Sequence, residues 1–315
     1  MIASKCQSKQ RTAGRRRWLA LAALVIAPCA CIGAERALAK GHAPVYSPDG
    51  RQIAFERDVG ERRVVGLFTR SSGKVEFPDL GPGSSCHAAF APDGTLYYIY
   101  SNITNTNYEL FNMRHELKTG CNVFRLRDGR PERVTSGFCH DMTPALSPDG
   151  KMLYFGSTRD DKRRFNCSIF TLDLSNPSAA PVRALPGDMN YCSGAMSPSI
   201  SPDGKKVVWG EYGGWTPPYC IQSAPIDDPA GKKPLTSAPE FAFAPRFDPS
   251  GRYVCYSSVF AGERWGVRVI ELATGKVRRL ADGMEPAFSP DGRQLAYERD
   301  GMIYECDFNA EEAFK

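Results

Sequence analysis

Apolar and polar residues alternate in short runs through most of this chain. Six such runs are Gln52-Ile-Ala-Phe-Glu56, Leu96-Tyr-Tyr-Ile-Tyr100, Met152-Leu-Tyr-Phe155, Val207-Val-Trp209, Tyr253-Val-Cys-Tyr256 and Leu295-Ala-Tyr297. A period of two over a few residues predicts a half-buried β-strand. Each run follows a turn signal: Pro44-Val-Tyr-Ser-Pro-Asp-Gly50, Ala88-Ala-Phe-Ala-Pro-Asp-Gly94, Pro144-Ala-Leu-Ser-Pro-Asp-Gly150, Pro198-Ser-Ile-Ser-Pro-Asp-Gly204, Pro245-Arg-Phe-Asp-Pro-Ser-Gly251 and Pro286-Ala-Phe-Ser-Pro-Asp-Gly292. Proline sets φ for the turn, aspartate caps it through its side chain, and glycine accepts positive φ. The pattern therefore predicts a hairpin between a first strand, A, and a second, B. A third strand, C, is predicted at Val64–Thr69, Asn122–Leu126, Ser168–Leu174, Ile221–Ala224, Val267–Leu272 and Met302–Cys306. Several run into a turn and a fourth strand, D, as in Thr274-Gly-Lys-Val-Arg-Arg-Leu280.

The turn glycines recur 44, 56, 54, 47 and 41 residues apart. A four-stranded propeller blade takes roughly 40–50 residues. The expectation is an all-β, six-bladed β-propeller of four-stranded antiparallel blades. No fourth strand follows Asp307, so the segment just before Pro44 is expected to supply it and close the ring. The Pro-Asp-Gly repeat resembles that of the TolB-type propeller family, a relative of the WD-type repeats, and the resemblance covers about residues 44–307. It implies the propeller alone, without the N-terminal domain of TolB. In that family the resemblance points to contact with peptidoglycan-associated lipoprotein.

The start of the chain reads differently. Lys5, Lys9, Arg11 and Arg15-Arg-Arg17 precede an uncharged, mostly apolar run from Trp18 to Ile32, and Ala37-Leu-Ala39 offers a small-x-small cleavage site. That order is the mark of a secretory signal peptide. The division expected is a signal peptide over 1–39 and the propeller over 40–315, with a periplasmic or secreted destination. Arg15-Arg-Arg-Trp-Leu19 also fits a twin-arginine signal, and Pro28 makes Cys29 and Cys31 poor lipidation sites. The formal charge of +5 belongs to this segment: it holds seven of the 40 basic and one of the 35 acidic residues, leaving 33 against 34. Nucleic acid is not an expected partner, no membrane span is expected after signal removal, and the chain is expected to be a monomer.

Antiparallel strands place all Pro-Asp-Gly turns on one face of the disc and the B–C loops and D–A connections on the other. The second face receives the long, varied segments, so function is expected there. The residue before the proline of each A strand should sit at the mouth of the central channel. Around the ring these are Ala43, His87, Thr143, Ser197, Ala244 and Glu285, and one position earlier His42, Cys86, Met142, Met196, Phe243 and Met284. His87, Thr143 and Glu285 are candidate ligand-binding residues, with His140 and Asp141 nearby. Of the aromatics in the loops (Tyr108, Phe111, Tyr191, Tyr212, Trp215, Tyr219, Phe260, Trp265), Tyr191, Trp215 and the pair Arg264–Trp265 are the candidates for a sugar or a peptide. The repeated methionines fit packing between blades better than soft-metal ligation, and no metal or cofactor is expected.

Eight cysteines lie beyond residue 39, an even number that points to disulfides in an exported protein. Register favours Cys121–Cys139 and Cys167–Cys192, each clamping one blade to the next. Cys86, Cys220, Cys255 and Cys306 have no assigned partner. Cys86-His87 and Cys139-His140 raise a cysteine–histidine nucleophile, but neighbours on a strand point to opposite faces. No Gly-x-Ser-x-Gly elbow, His-Glu-x-x-His or phosphate-binding loop is present. The leading expectation is a non-catalytic binding module for a protein, peptide or glycan. The alternative is a lyase or hydrolase acting on carbohydrate, with His87, His140, Asp141 and Glu285 sharing one space.

Overall fold

The structure, a computed structural model, describes residues 33–102, 120–160, 166–185, 193–213 and 219–315. It is a six-bladed propeller of four-stranded antiparallel sheets. Blade 1 comprises β2 (His42–Tyr46), β3 (Gln52–Val59), β4 (Arg62–Thr69) and β5 (Lys74–Glu76). Blade 2 comprises β6 (Ser84–Phe90), β7 (Leu96–Ser101), β8 (Asn122–Arg127) and β9 (Arg130–Arg133). Blade 3 is β10 (Asp141–Leu146), β11 (Met152–Ser157), β12 (Ser168–Asp173) and β13 (Val182–Leu185). Blade 4 is β14 (Ser193–Ile200), β15 (Lys206–Gly213), β16 (Tyr219–Pro225) and β17 (Lys233–Pro234). Blade 5 is β18 (Phe241–Phe247), β19 (Tyr253–Val259), β20 (Gly266–Glu271) and β21 (Val277–Asp282). Blade 6 combines β22 (Met284–Phe288), β23 (Gln294–Arg299) and β24 (Met302–Asp307) with β1 (Arg36–Lys40), and a short helix α1 (Ala310–Ala313) follows.

The Ser-Pro-Asp-Gly turn works as its chemistry predicts. In blade 1 the Ser47 hydroxyl donates to Asp49 Oδ1 (2.7 Å) and accepts from the Gln52 N–H (2.9 Å). The Arg51 N–H donates to the same carboxylate oxygen (3.0 Å), and Gly50 sits at φ 67°. The serine bond, then the backbone bond, holds Asp49 below the usual carboxylate range. Blade 5 carries the two side chains in exchanged places: Asp248 accepts from Ser250 and from the Tyr253 N–H (2.7 Å), so the turn survives the swap. Five of the six turn glycines lie against the proline ring of the preceding blade's turn, as Gly50 does against Pro290. Gly94 meets nothing, and a cleft of about 380 Å³ separates the turns of blades 1 and 2.

One large residue per blade fills the core at a fixed register, five positions after the turn glycine: Phe55, Ile99, Phe155, Trp209, Tyr256 and Tyr297, each at most 2% exposed. The B strands depart from the expected alternation. In β3 the run Ile53-Ala-Phe-Glu56 is buried throughout. Each blade is packed between two neighbours, so both faces of its inner strands lose water, and period two fades as it does in a sheet covered on both sides.

The ring closes between the two ends of the chain. β1 pairs with β24 antiparallel, with Arg36 opposite Glu305 and Lys40 opposite Met302. Glu305, 3% exposed, accepts from Arg36 Nη2 (2.7 Å), from the Tyr46 hydroxyl (2.9 Å) and from Arg70 Nε (2.9 Å), joining β1, blade 6 and blade 1. Glu35 pairs with Arg299 (2.6 Å) and accepts from the Tyr297 hydroxyl. The closing strand is thus the segment expected just before Pro44. The boundary expected after Ala39 falls inside it, because the small residues Ala37 and Ala39 that resemble a cleavage site are strand positions opposite Tyr304 and Ile303.

Candidate functional site

The six A strands line the channel, and each breaks its register at one point. The irregularities lie between His42 and Val45, Cys86 and Ala89, Met142 and Ala145, Met196 and Ser199, Phe243 and Arg246, and Met284 and Ala287. At each stands the residue before the proline: Ala43, His87, Thr143, Ser197, Ala244 and Glu285, all left-handed at φ 47–55°. For a residue with a Cβ this conformation costs about 1–2 kcal/mol. It persists where the surroundings over-determine it, which happens at sites.

What holds these residues is a relay of hydrogen bonds from blade to blade. The Ala43 N–H donates to Glu285 Oε2 (2.9 Å), the Thr143 N–H to His87 Nδ1 (3.3 Å) and the Ser197 N–H to Thr143 Oγ1 (3.0 Å). In each case a ring side chain takes the N–H of the next ring residue. Where the ring residue is alanine, strand B supplies the acceptor instead. The His87 N–H donates to Glu56 Oε1 (2.7 Å) and the Glu285 N–H to Ser257 Oγ (2.7 Å). Glu56 and Ser257 both stand six positions after their turn glycine. Sequence reading found the ring but not these substitutes; the alanines at 43 and 244 were the available signal.

All six ring residues border one cavity of about 140 Å³, with Met142, Met196 and Phe243 toward its mouth. Because A strands run from the D–A side to the turn side, this cavity lies toward the loop face. A second cavity of about 240 Å³, bordered by Pro202, Asp248, Pro249 and Pro290, lies toward the turns. Burial pushes Glu285 up to about 7, with the Glu56 carboxylate adding to it. Burial likewise raises Glu56, against the opposing pull of Arg63. His87 is lowered to about 4 by burial, so its imidazole is neutral, and Nδ1 serves as the acceptor for the Thr143 N–H. Glu298, six after its own turn glycine, is also buried and stands 3.9 Å from His42 Nδ1.

His87, Thr143 and Glu285 therefore border one cavity, whereas His140 and Asp141 do not. They belong to a knot between blades 2 and 3. Asp141, 0% exposed, takes both oxygens to Arg159 Nη2 (2.7 and 2.8 Å) and accepts from Ser157 Oγ (2.6 Å) and Thr135 Oγ1 (2.5 Å). Its oxygens are filled by these donors, which fits a role in bracing the two blades. The His140 N–H donates to Thr158 Oγ1 (3.1 Å), and His140 Nδ1 lies 3.2 Å from Cys121 Sγ. That is the spacing of a cysteine–histidine nucleophile, but burial drives the Cys121 thiol well above its ordinary range and Cys139 up to about 11. A protonated thiol is not the nucleophilic form.

Cys121 and Cys139 are free thiols here, in place of the expected bridge. Their backbones meet, Cys121 N–H to the Cys139 carbonyl at 3.0 Å, while the sulfurs turn to different partners: Cys121 to His140 and Cys139 to Asp141 (3.5 Å). Cys167 is also a free, buried thiol, and its expected partner Cys192 lies outside the described residues. Tyr191 and Trp215 also lie outside them. Arg264 is exposed, with Asp282 at 3.7 Å. Trp265 meets Phe241 and Phe243 edge-on, at 5.6 and 5.2 Å between ring centres. Tyr219 continues this row, 3.9 Å from Phe241 and stacked at 5.4 Å on Tyr212. An aromatic row thus runs from blade 4 to the channel mouth at Phe243. Among the described residues no three His, Cys, Asp or Glu side chains group as metal ligands, and no helix is long and apolar enough to cross a membrane.

No family model matches the sequence. Over 56 residues the chain is 43% identical to the Tol-Pal system protein TolB of Francisella tularensis, a match that covers 16% of this chain and only 13% of that relative. Among solved structures it is similar to a TolB-like protein from Agrobacterium tumefaciens, with TM-score 0.61 and 17% identity over 88% of this chain and 91% of that one. It is also similar to an oligogalacturonate lyase in complex with manganese, with TM-score 0.59 and 13% identity over 90% of this chain and 96% of that one. At such identities the shared property is the fold: the chain is a six-bladed β-propeller similar in fold to TolB.

Proposed function

We propose that this chain is an exported, periplasmic binding module that holds a protein, peptide or glycan partner at the loop-face mouth of its channel. The observation that carries the reading is the backbone relay. Glu285, Glu56, His87 and Thr143 each accept an N–H of the neighbouring blade, so the polar groups of the ring brace a rigid rim. The aromatic row ending at Phe243 gives that rim a surface suited to a peptide or a sugar. The likeness to TolB of the Tol-Pal system is compatible with a protein partner.

Site-directed photo-crosslinking tests this reading. A photoreactive phenylalanine analogue at position 243 should yield partner adducts in cells, and the same group at Arg293, on the turn face, should not. Equal labelling from both positions, or none from 243, rules the reading out. One observation favours a second reading, an enzyme acting on carbohydrate: Glu285, held near 7 beside Glu56, is a carboxyl poised to exchange a proton at neutral pH. Carbohydrate turnover by the wild type that disappears in Glu285→Gln would establish that alternative.

A further inference from the structure

Among the described residues, Arg246 alone borders both cavities of the channel. It stands two positions after Ala244 in β18, where the other five blades carry Val45, Ala89, Ala145, Ser199 and Ala287. Five small residues and one arginine leave room at this level and put the guanidinium between the upper and the lower space. Among the described residues its guanidinium makes no hydrogen bond and no ion pair. Burial without an anion in contact pulls its pKa down, with the carboxylates of Glu285 and Glu56 acting on it only from a distance.

A planar fork of five N–H donors left unpaired at the waist of a channel matches the two oxygens of a carboxylate. The rest of the upper cavity narrows the choice. Glu56 and Glu285 border the same space, and a dianion such as phosphate would meet their repulsion. A ligand that carries N–H donors beside its carboxylate would instead find acceptors there. With about 140 Å³ available, the space suits a group of one or two residues' size. We infer that the channel captures a free carboxylate bearing adjacent N–H donors, with Arg246 as its anchor and Glu285 and Glu56 facing the donors. A free amino acid and the C-terminal residue of a peptide share this chemistry. This rests on the channel mouth being the binding site and adds what enters it.

Titration calorimetry on the whole chain tests it with three probes: the tripeptide Ala-Ala-Ala as its free acid, the same tripeptide as its C-terminal amide, and free alanine. The free acid should bind at least about tenfold more tightly than the amide, the factor expected when a charge-assisted pair is lost. Arg246→Gln should bring the acid down to the level of the amide, and Arg246→Lys should retain part of the difference. Circular dichroism of both variants checks that the fold is kept. Binding of the tripeptide acid but not of alanine identifies a peptide C-terminus; comparable binding of both identifies a free amino acid. Equal binding of acid and amide, no binding of either acid, or unchanged binding in Arg246→Gln overturns the inference. If crosslinks from position 243 persist in that case, the binding-face reading stands and only the carboxylate anchor falls.

Discussion

Replacing Glu285 by glutamine should make the protein more stable above neutral pH and leave it little changed in acid. The glutamine side chain still offers an oxygen to the Ala43 N–H, so the relay is kept while the charge is removed. In the wild type, burial raises Glu285 from an ordinary 4.5 to about 7, and the Glu56 carboxylate adds to the rise. A carboxyl raised in the folded state contributes stability that is complete below the unfolded value and lost as pH climbs through the folded one. The loss therefore runs from 4.5 to about 7. At about 1.4 kcal/mol per pH unit this amounts to about 3 kcal/mol. Urea denaturation of both proteins at about pH 5, 7 and 8.5 measures it, because the difference between them isolates this group. The gap should open steadily in favour of Glu285→Gln and reach about 3 kcal/mol at the highest pH. A gap independent of pH, or a variant less stable in alkali, would refute the picture of a buried, like-charged carboxyl at the ring.

The other predictions concern the frame. Glu305→Ala should cost about 1–3 kcal/mol in denaturation experiments, because it leaves the Tyr46 hydroxyl buried without its acceptor and takes one of three acceptors from the half-buried Arg70. At Ala244, φ 51°, glycine should be neutral or stabilising by up to about 1 kcal/mol, since it relieves the left-handed strain. Valine at the same position should instead destabilise by about 2 kcal/mol or more, and a thermal melt of the two variants distinguishes the cases. If a leader is removed, the mass of the purified protein should place the new N-terminus before Glu35, whose carboxylate pairs with Arg299. A chain beginning at Lys40 would contradict the role of β1 as the closing strand.

The architecture was legible because each Ser-Pro-Asp-Gly turn carries its own chemistry, and six copies in register leave few other folds. The ring at the channel was legible for the same reason: once the turn glycines are aligned, Ala43, His87, Thr143, Ser197, Ala244 and Glu285 fall at one position. Register also holds Glu56, Ser257 and Arg246, but their importance depends on neighbours from other blades. Only the alanines at 43 and 244 make Glu56 and Ser257 necessary, and only five small side chains at its level make Arg246 stand out. Asp141 shows the opposite failure. Next to His140 and two residues before Thr143 it reads as part of a site, yet Arg159, eighteen residues away, takes both of its oxygens. The cysteines misled because a shared face puts Cys121 and Cys139 side by side in the backbone without aiming their sulfurs at each other. The boundary expected after Ala39 falls within β1, where small residues suit a strand edge as well as a cleavage site.

The pairing of β1 with β24 also has a consequence in time. Arg36 and Glu305 are separated by 269 residues, and neither strand has another place to go on that edge. A ribosome adds about 5–20 residues per second, so the earliest strand waits tens of seconds for the latest one. Contacts of such long range also make folding slow. Throughout that wait an unpaired edge is available to any other chain. Arg36 and Lys40 bracket β1 with like charge, and Gly41 and Pro44 follow at once. Charge repels a second copy, and glycine and proline spoil a continuous stack. The residues that finish the disc are thus the same ones that keep its unfinished form from aggregating.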